Sequence, residues 1–223
     1  MSRVLPILFN TEMVQAILDG RKTVTRRLVK KSQCILADRK EPHELDRKYA
    51  PYDGMTEAEL IACTYRTQYE VGDIMYVRET WSFLPCIECM DEGPACNVNP
   101  VVYDDGDCES EGCFVYKASH PRPERVRWTP SIHMPKAAAR IWIKVKEVRL
   151  ERLQDMTGQD ILSEGVNCHV HPKADYFDGN QNMMFAELWD STIKRTDMER
   201  YGWDANPWVW VIEFERCKKP VEE

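Results

Sequence analysis

The chain reads as an α+β protein built on a small, mostly antiparallel β-barrel with helices packed on its rim. Three observations predict this. Several short runs rich in Val, Ile, Thr and Trp alternate or turn sharply, as half-buried strands do. Few stretches carry helical spacing, and they do not fall regularly between strands as parallel crossovers would. Finally, residues 82–113 hold proline, glycine, acids and five cysteines with little to build a core, and so read as an insertion. With 223 residues and 43% hydrophobic content, the chain is long enough for one good core, giving a single domain over 1–223 interrupted by that segment.

The elements follow in order. Asn10 or Thr11 caps a helix whose stripe is Met13, Val14, Ile17 and Leu18, and Gly20 stops it. Thr23 to Val29 reads as a strand. Residues 30–70 show little periodicity and many charges, a long loop with a short helix near Thr56 to Cys63. Gly72-Asp73 turns into a strand at Ile74 to Arg78, followed by Glu79-Thr80-Trp81. Phe114 to Ala118 returns to strand, and the prolines of Trp128 to Pro135 make a stiff loop. Ala139 to Leu150 alternates, with Ile141, Ile143 and Val145 on one face and Trp142, Lys144 and Lys146 on the other. Thr157 caps a helix with Asp160 in its first turn, which Gly165 stops. A further helix spans about Met183 to Ile193, and Trp208 to Glu215 is the last strand, with Trp208, Trp210, Ile212 and Phe214 expected on one face.

No apolar run approaches the ~18 residues of a membrane span, and the start lacks a signal-peptide layout, so the expectation is a soluble, cytoplasmic protein with no membrane partner. The net charge of −7 hides an uneven distribution. Residues 1–50 carry 11 basic and 6 acidic groups and 121–150 carry 8 and 2, whereas 51–120 carry 3 and 14. The basic segments read either as one positive surface or as ordinary variation between segments. Nine cysteines in a cytosolic chain point to reduced, buried or metal-bound thiols rather than disulfides.

Chemistry concentrates in Gly20-Arg21-Lys22-Thr23-Val24-Thr25-Arg26-Arg27. Cations and a hydroxyl at one helix-to-strand junction suit an anionic or nucleotide-like ligand, while the plainer reading is a solvated basic hairpin. As a strand, Thr23, Thr25 and Arg27 share one face while Lys22, Val24 and Arg26 share the other, and the glycine-ended helix is expected to bring Lys22 round toward Thr25. Glu79 ends a strand, where it reads as a pocket acid or as an ion-pair partner. Trp81 reads as a base-stacking platform or as core.

This octapeptide resembles the signature of the ASCH domain family, a PUA-like barrel linked to RNA metabolism. Val71-Gly72-Asp73 through Trp81, Leu153 through Val166, and Pro207 to Phe214 are similar to further family blocks, in the family's order. Trp128 to Pro135 and Tyr201 to Trp208 resemble the longer ASCH proteins of bacteriophages and prophages, for which the host cytoplasm is the expected compartment. The resemblance implies binding of a nucleoside or RNA. Through a small bacterial relative it also implies an N4-acetylcytidine amidohydrolase activity, with the working lysine, threonine and glutamate falling on Lys22, Thr25 and Glu164. It leaves two other functions open: a non-catalytic RNA-binding module using Arg21, Lys22, Arg26 and Arg27 on phosphates, and a metal-independent ribonuclease.

Amide hydrolysis needs a nucleophile, a base and an acid. On the implied assignment Thr25 attacks, neutral Lys22 takes its proton, and protonated Glu164 serves the leaving amine, with no catalytic cofactor. Substrate contacts are expected from Arg21, Arg26, Arg27, Glu79 and Trp81. In the insertion, Cys86-x2-Cys89 and Cys108-x4-Cys113, with Cys96 between, have spacings that either hold a structural zinc or leave reduced thiols. Cys168-His169-Val170-His171 is a weaker metal group.

Overall fold

The computed structural model describes residues 2–36, 40–45, 54–85, 112–120, 124, 126–166 and 177–220. Among them the protein is mixed α/β. Its strands are β1 (Val4–Leu8), β2 (Val24–Leu28), β3 (Ile74–Arg78), β4 (Trp81–Pro85), β5 (Gly112–Tyr116), β6 (Trp142–Arg152) and β7 (Trp208–Cys217). Five of them form one sheet in the order β1-β3-β6-β7-β2, and β4 pairs with β5. Among the described residues this order has two ends, β1 and β2, and is an open sheet rather than the closed barrel expected from the sequence.

β1 escapes the sequence pattern because Pro6 interrupts a run of only five residues. Proline has no N–H for the ladder and is tolerated at a sheet edge, which is where β1 lies. It runs parallel to β3, with Val4 opposite Ile74 and Leu8 opposite Arg78. A parallel pair needs a long connection, and residues 9–73 supply it.

The chain divides into two compact units. The first comprises Met1–Asp19, Ile74–Ile143 and Arg216–Glu223. Its helix α1 (Thr11–Leu18) starts where the Asn10 side chain accepts the Met13 N–H at 2.8 Å, and it buries Val14, Ala16 and Ile17. β4 and β5 run antiparallel, with Trp81 opposite Tyr116 and Phe83 opposite Phe114. The stretches 82–85 and 112–113, assigned to the insertion by composition, therefore belong to strands. Phe114, Tyr116, Met134 and Ala138 form a core against which Trp81 packs. The proline-rich loop is pinned to that tryptophan by two backbone bonds, Trp81 N–H to Thr129 O (3.1 Å) and Thr129 N–H to Trp81 O (2.7 Å).

The second unit comprises Gly20–Asp73 and Lys144–Glu215. β2 and β7 are antiparallel, with Val24 opposite Glu213 and Leu28 opposite Val209. β7 is buried on both faces, where the sequence suggested one. Val209 and Val211 pack with Val24, Ile161, Phe185 and Trp189, while Trp208 and Trp210 pack with Val29, Ile61 and Tyr65. The cause is helices on either side: α3 (Gly158–Ser163) and α4 (Phe177–Thr192) supply the first cluster, and α2 (Glu57–Thr64) the second. α2 and α3 both begin with full capping boxes, at Thr56/Glu59 and Thr157/Asp160. α4 starts six residues before the position expected from Met183. A short helix α5 (Met198–Tyr201) precedes β7. Among the described residues no helix is long and apolar enough to cross a membrane.

Candidate functional site

The junction of α3 with β2 builds the site. Thr23 is held twice through its backbone: its N–H donates to Ser163 O, and its carbonyl accepts the Phe214 N–H, both at 2.9 Å. That ties the end of α3 to the start of β2 and to β7. Glu164 closes α3, donating its N–H to Asp160 O, and Gly165 follows with φ 86°, the left-handed turn that ends a helix. Arg21 donates from one guanidinium nitrogen to Gly165 O at 2.8 Å, placing a cation where the helix presents unpaired carbonyls.

These ties bring Lys22 onto Glu164. The Lys22 amine donates to Glu164 Oε2 at 2.6 Å, to the Glu164 carbonyl at 2.8 Å and to the Val24 carbonyl at 2.7 Å. An ammonium has three N–H donors, and all three are used. Both residues are buried, Lys22 at 3% and Glu164 at 5% exposure. The Val24 carbonyl belongs to the peptide that leads into Thr25, so the amine lies beside the backbone of Thr25. Thr25 is itself buried.

Arg26 binds the other oxygen of the same carboxylate. Its guanidinium reaches Glu164 Oε1 at 3.2 Å, Glu151 at 3.4 Å and Asp160 at 3.6 Å, and its side chain is fully buried. Arg149 continues the network to Glu151, Glu213 and Asp160. Burial pulls the Lys22 amine below its ordinary value. Glu164 opposes that shift, whereas Arg27 and Arg26 add to it. Burial pushes Asp160 up, but bonds from Thr157 and the Arg26 and Arg149 charges outweigh it and hold the acid below its usual range.

Each acid of the cluster is shared. Glu164 takes Lys22 on one oxygen and Arg26 on the other, and Arg26 also meets Glu151 and Asp160. Lys22 sits between opposing influences: burial and the neighbouring arginines lower its amine, while Glu164 favours the charged form that donates all three bonds.

The remaining expected residues sit as follows. Arg27 is partly buried at the end of β2, within electrostatic reach of Tyr69 and Glu164. Glu79, in the first unit, is 1% exposed and is gripped by Arg140 through two parallel bonds of 2.9 Å. Arg140 also donates to Ser119 at 2.8 Å and stacks over the Tyr116 ring at 4.0 Å. Glu79 is thus an ion-pair partner. Trp81 packs edge-on to Phe114 at 5.5 Å, and its buried indole N–H has no hydrogen-bond partner among the described residues. Cys86, Cys89, Cys96 and Cys108 lie outside the described residues, as do Cys168 to His171, and the side chain of Cys113 is also not described. Among the described residues no group of His, Cys, Asp or Glu is arranged to hold a metal.

Sequence reasoning missed Arg140, Arg149, Glu151 and Glu213. A faint signal exists for two of them: Arg149 and Glu151 are two apart on a strand, hence on one face. Compared with protein-family models, curated proteins and solved structures, the chain matches none.

Proposed function

We propose that this chain is a PUA-like ASCH protein that binds a nucleobase and hydrolyses an acyl amide on it, N4-acetylcytidine being the concrete case. The observation that carries the reading is the buried amine of Lys22, held by Glu164 at 2.6 Å beside the Val24–Thr25 peptide. A desolvated lysine flanked by arginines is a usable base near neutral pH. In this reading the Thr25 hydroxyl attacks the acetyl carbonyl while its proton passes to Lys22. The resulting ammonium stays paired with Glu164. It then gives the proton to the departing N4 nitrogen, leaving the free amine of cytidine and an acetyl ester on Thr25. Water, deprotonated by Lys22, then attacks the ester carbonyl, and as the bond to Thr25 breaks and acetate leaves, the Lys22 ammonium returns its proton to the Thr25 oxygen. In this reading Glu164 orients Lys22, holding the amine through its carboxyl group and its backbone carbonyl. Arg26 fixes Glu164 by its second oxygen.

The same geometry disfavours a phosphate-tracking module. Lys22 and Arg26 have side-chain exposures of 1% and 0% and are spent on acids, which removes two of its four expected contacts. The test incubates wild type, Lys22→Ala and Thr25→Ala with N4-acetylcytidine and a panel of modified nucleosides and RNA, comparing products by mass. Wild type is expected to release cytidine and acetate, and each variant to lose about 10²–10⁴-fold in rate. Intact N4-acetylcytidine after long incubation with concentrated wild-type protein, at every pH tried, would end the proposal.

A further inference from the structure

The second unit also holds a pocket of about 190 Å³ that is lined by none of Lys22, Thr25, Arg26 and Glu164. Its apolar wall comes from Val29, Pro42, Pro207 and Trp208, and its polar wall from Arg152, Arg200, His43 and Tyr201, with Glu199 the one acid among the lining side chains. Arg152 is fixed before any ligand arrives. It lies over the Trp208 ring at 4.4 Å, donates to Glu57 at 2.6 Å and donates to the Asn206 carbonyl at 3.1 Å. A guanidinium has five N–H donors, and these bonds use two of them.

The opposite wall is equally fixed. Asn206 takes a left-handed conformation (φ 44°) and its side chain accepts the Gln154 N–H at 2.8 Å, while the Gln154 side chain donates to Trp203 O at 2.8 Å. The loop carrying Ala205 and Pro207 is thereby clamped to the strand end that carries Arg152. Tyr201 is tied to Glu41 at 2.9 Å. Glu57 takes up part of the Arg152 charge and accepts the Trp208 indole N–H at 3.2 Å, while Tyr201 spends its hydroxyl proton on Glu41. Among the lining side chains the basic Arg152, Arg200 and His43 still outnumber the one acid, Glu199, around an apolar floor.

We propose that this pocket binds a small phosphate anion, either inorganic phosphate or a compact phosphomonoester, separately from the Lys22 site. Two guanidiniums and an imidazole around one cavity suit a dianion better than a single carboxylate, and the forked Arg152 matches phosphate oxygens. The volume falls below the roughly 300–1,000 Å³ of drug-sized sites, which limits the ligand to the phosphate and a short or single-ring tail. The Trp208 and proline surfaces give that tail an apolar seat.

The test is calorimetric titration of the full chain with inorganic phosphate, phenyl phosphate and benzoate, at ionic strength held constant with sodium chloride. Saturable binding of either phosphate is expected, weakened at least about tenfold in Arg200→Ala. Arg200 is exposed and the replacement leaves packing intact, as thermal unfolding will check. Tighter binding of phenyl phosphate identifies an ester as the ligand, and equal binding identifies free phosphate. Lys22→Met is expected to bind as wild type does, so this site stands or falls apart from the hydrolase reading. No saturable binding, equal affinity for benzoate, or undiminished affinity in both Arg200→Ala and Arg152→Ala overturns it.

Discussion

Among the described residues each unit holds a buried carboxylate against a basic side chain, Glu79 against Arg140 in the first and Glu164 against Lys22 in the second. In the first the fork of Arg140 meets both Glu79 oxygens, and an arginine does not give up its proton. The result is a fixed strut, completed by the Tyr116 ring beneath the guanidinium. In the second the cation is an amine that titrates, and a further arginine shares its acid. The same burial therefore surrounds a fixed charge in one place and an amine lowered from its ordinary value in the other. Side-chain chemistry, not depth, separates the two.

The largest expected effect is on the strut. Glu79→Gln leaves Arg140 with an uncompensated charge and should cost about 3–5 kcal/mol. Lys22→Met should cost far less, about 1–2 kcal/mol, because Glu164 keeps Arg26 and the lost lysine was itself strained by burial. Urea unfolding of both variants measures the contrast. Equal losses would show that Lys22 is as purely structural as Arg140.

Much of this contrast was hidden in the sequence. Lys22 and Glu164 were named together only through the family resemblance, while the helix stops at Gly20 and Gly165 were legible locally, and both glycines take positive φ. The helix of Thr157 was legible because a capping box is local. Arg140 was not, since its partner lies 61 positions away and nothing near it in the chain signals the pairing. The open sheet was hidden for a related reason. Strand alternation reports which residues are buried but not which strand each one meets, so the parallel pairing of β1, with Pro6 inside it, left no mark. β7 looked half-buried because Trp208 and Trp210 dominate one face, yet its valines are equally enclosed on the other.

pH sharpens the comparison, because the two sites have opposite slopes. The Lys22 amine is lowered from 10.5 in the folded chain. Between its folded value and 10.5 the unfolded chain binds more protons, so this group's contribution to stability rises with pH and is complete above 10.5. Burial raises Glu79 above 4.5 against the pull of Arg140. From about 4.5 upward the folded chain then holds more of that proton, so stability falls as pH rises through the folded value. Unfolding curves for wild type and Lys22→Met should draw apart in favour of wild type as pH climbs toward 10.5. A constant gap would place the amine in a water-like setting and remove the basis for a neutral base.

The smallest effect asks whether the amine site depends on its helix. Thr157 accepts the Asp160 N–H at 3.2 Å, and Asp160 accepts the Thr157 N–H at 2.8 Å, closing the cap of α3. Thr157→Ala should cost about 1 kcal/mol. Asp160 also faces Arg26 at 3.6 Å, and Arg26 holds Glu164, so the cap is joined to Lys22 through two ion pairs. A double-mutant cycle of Thr157→Ala with Glu164→Gln measures that link. Coupling beyond about 0.5 kcal/mol means the first turn of α3 helps place the carboxylate at its last. Simple additivity means the Lys22 site is held by Thr23 and β7 alone, with the cap serving only its own helix.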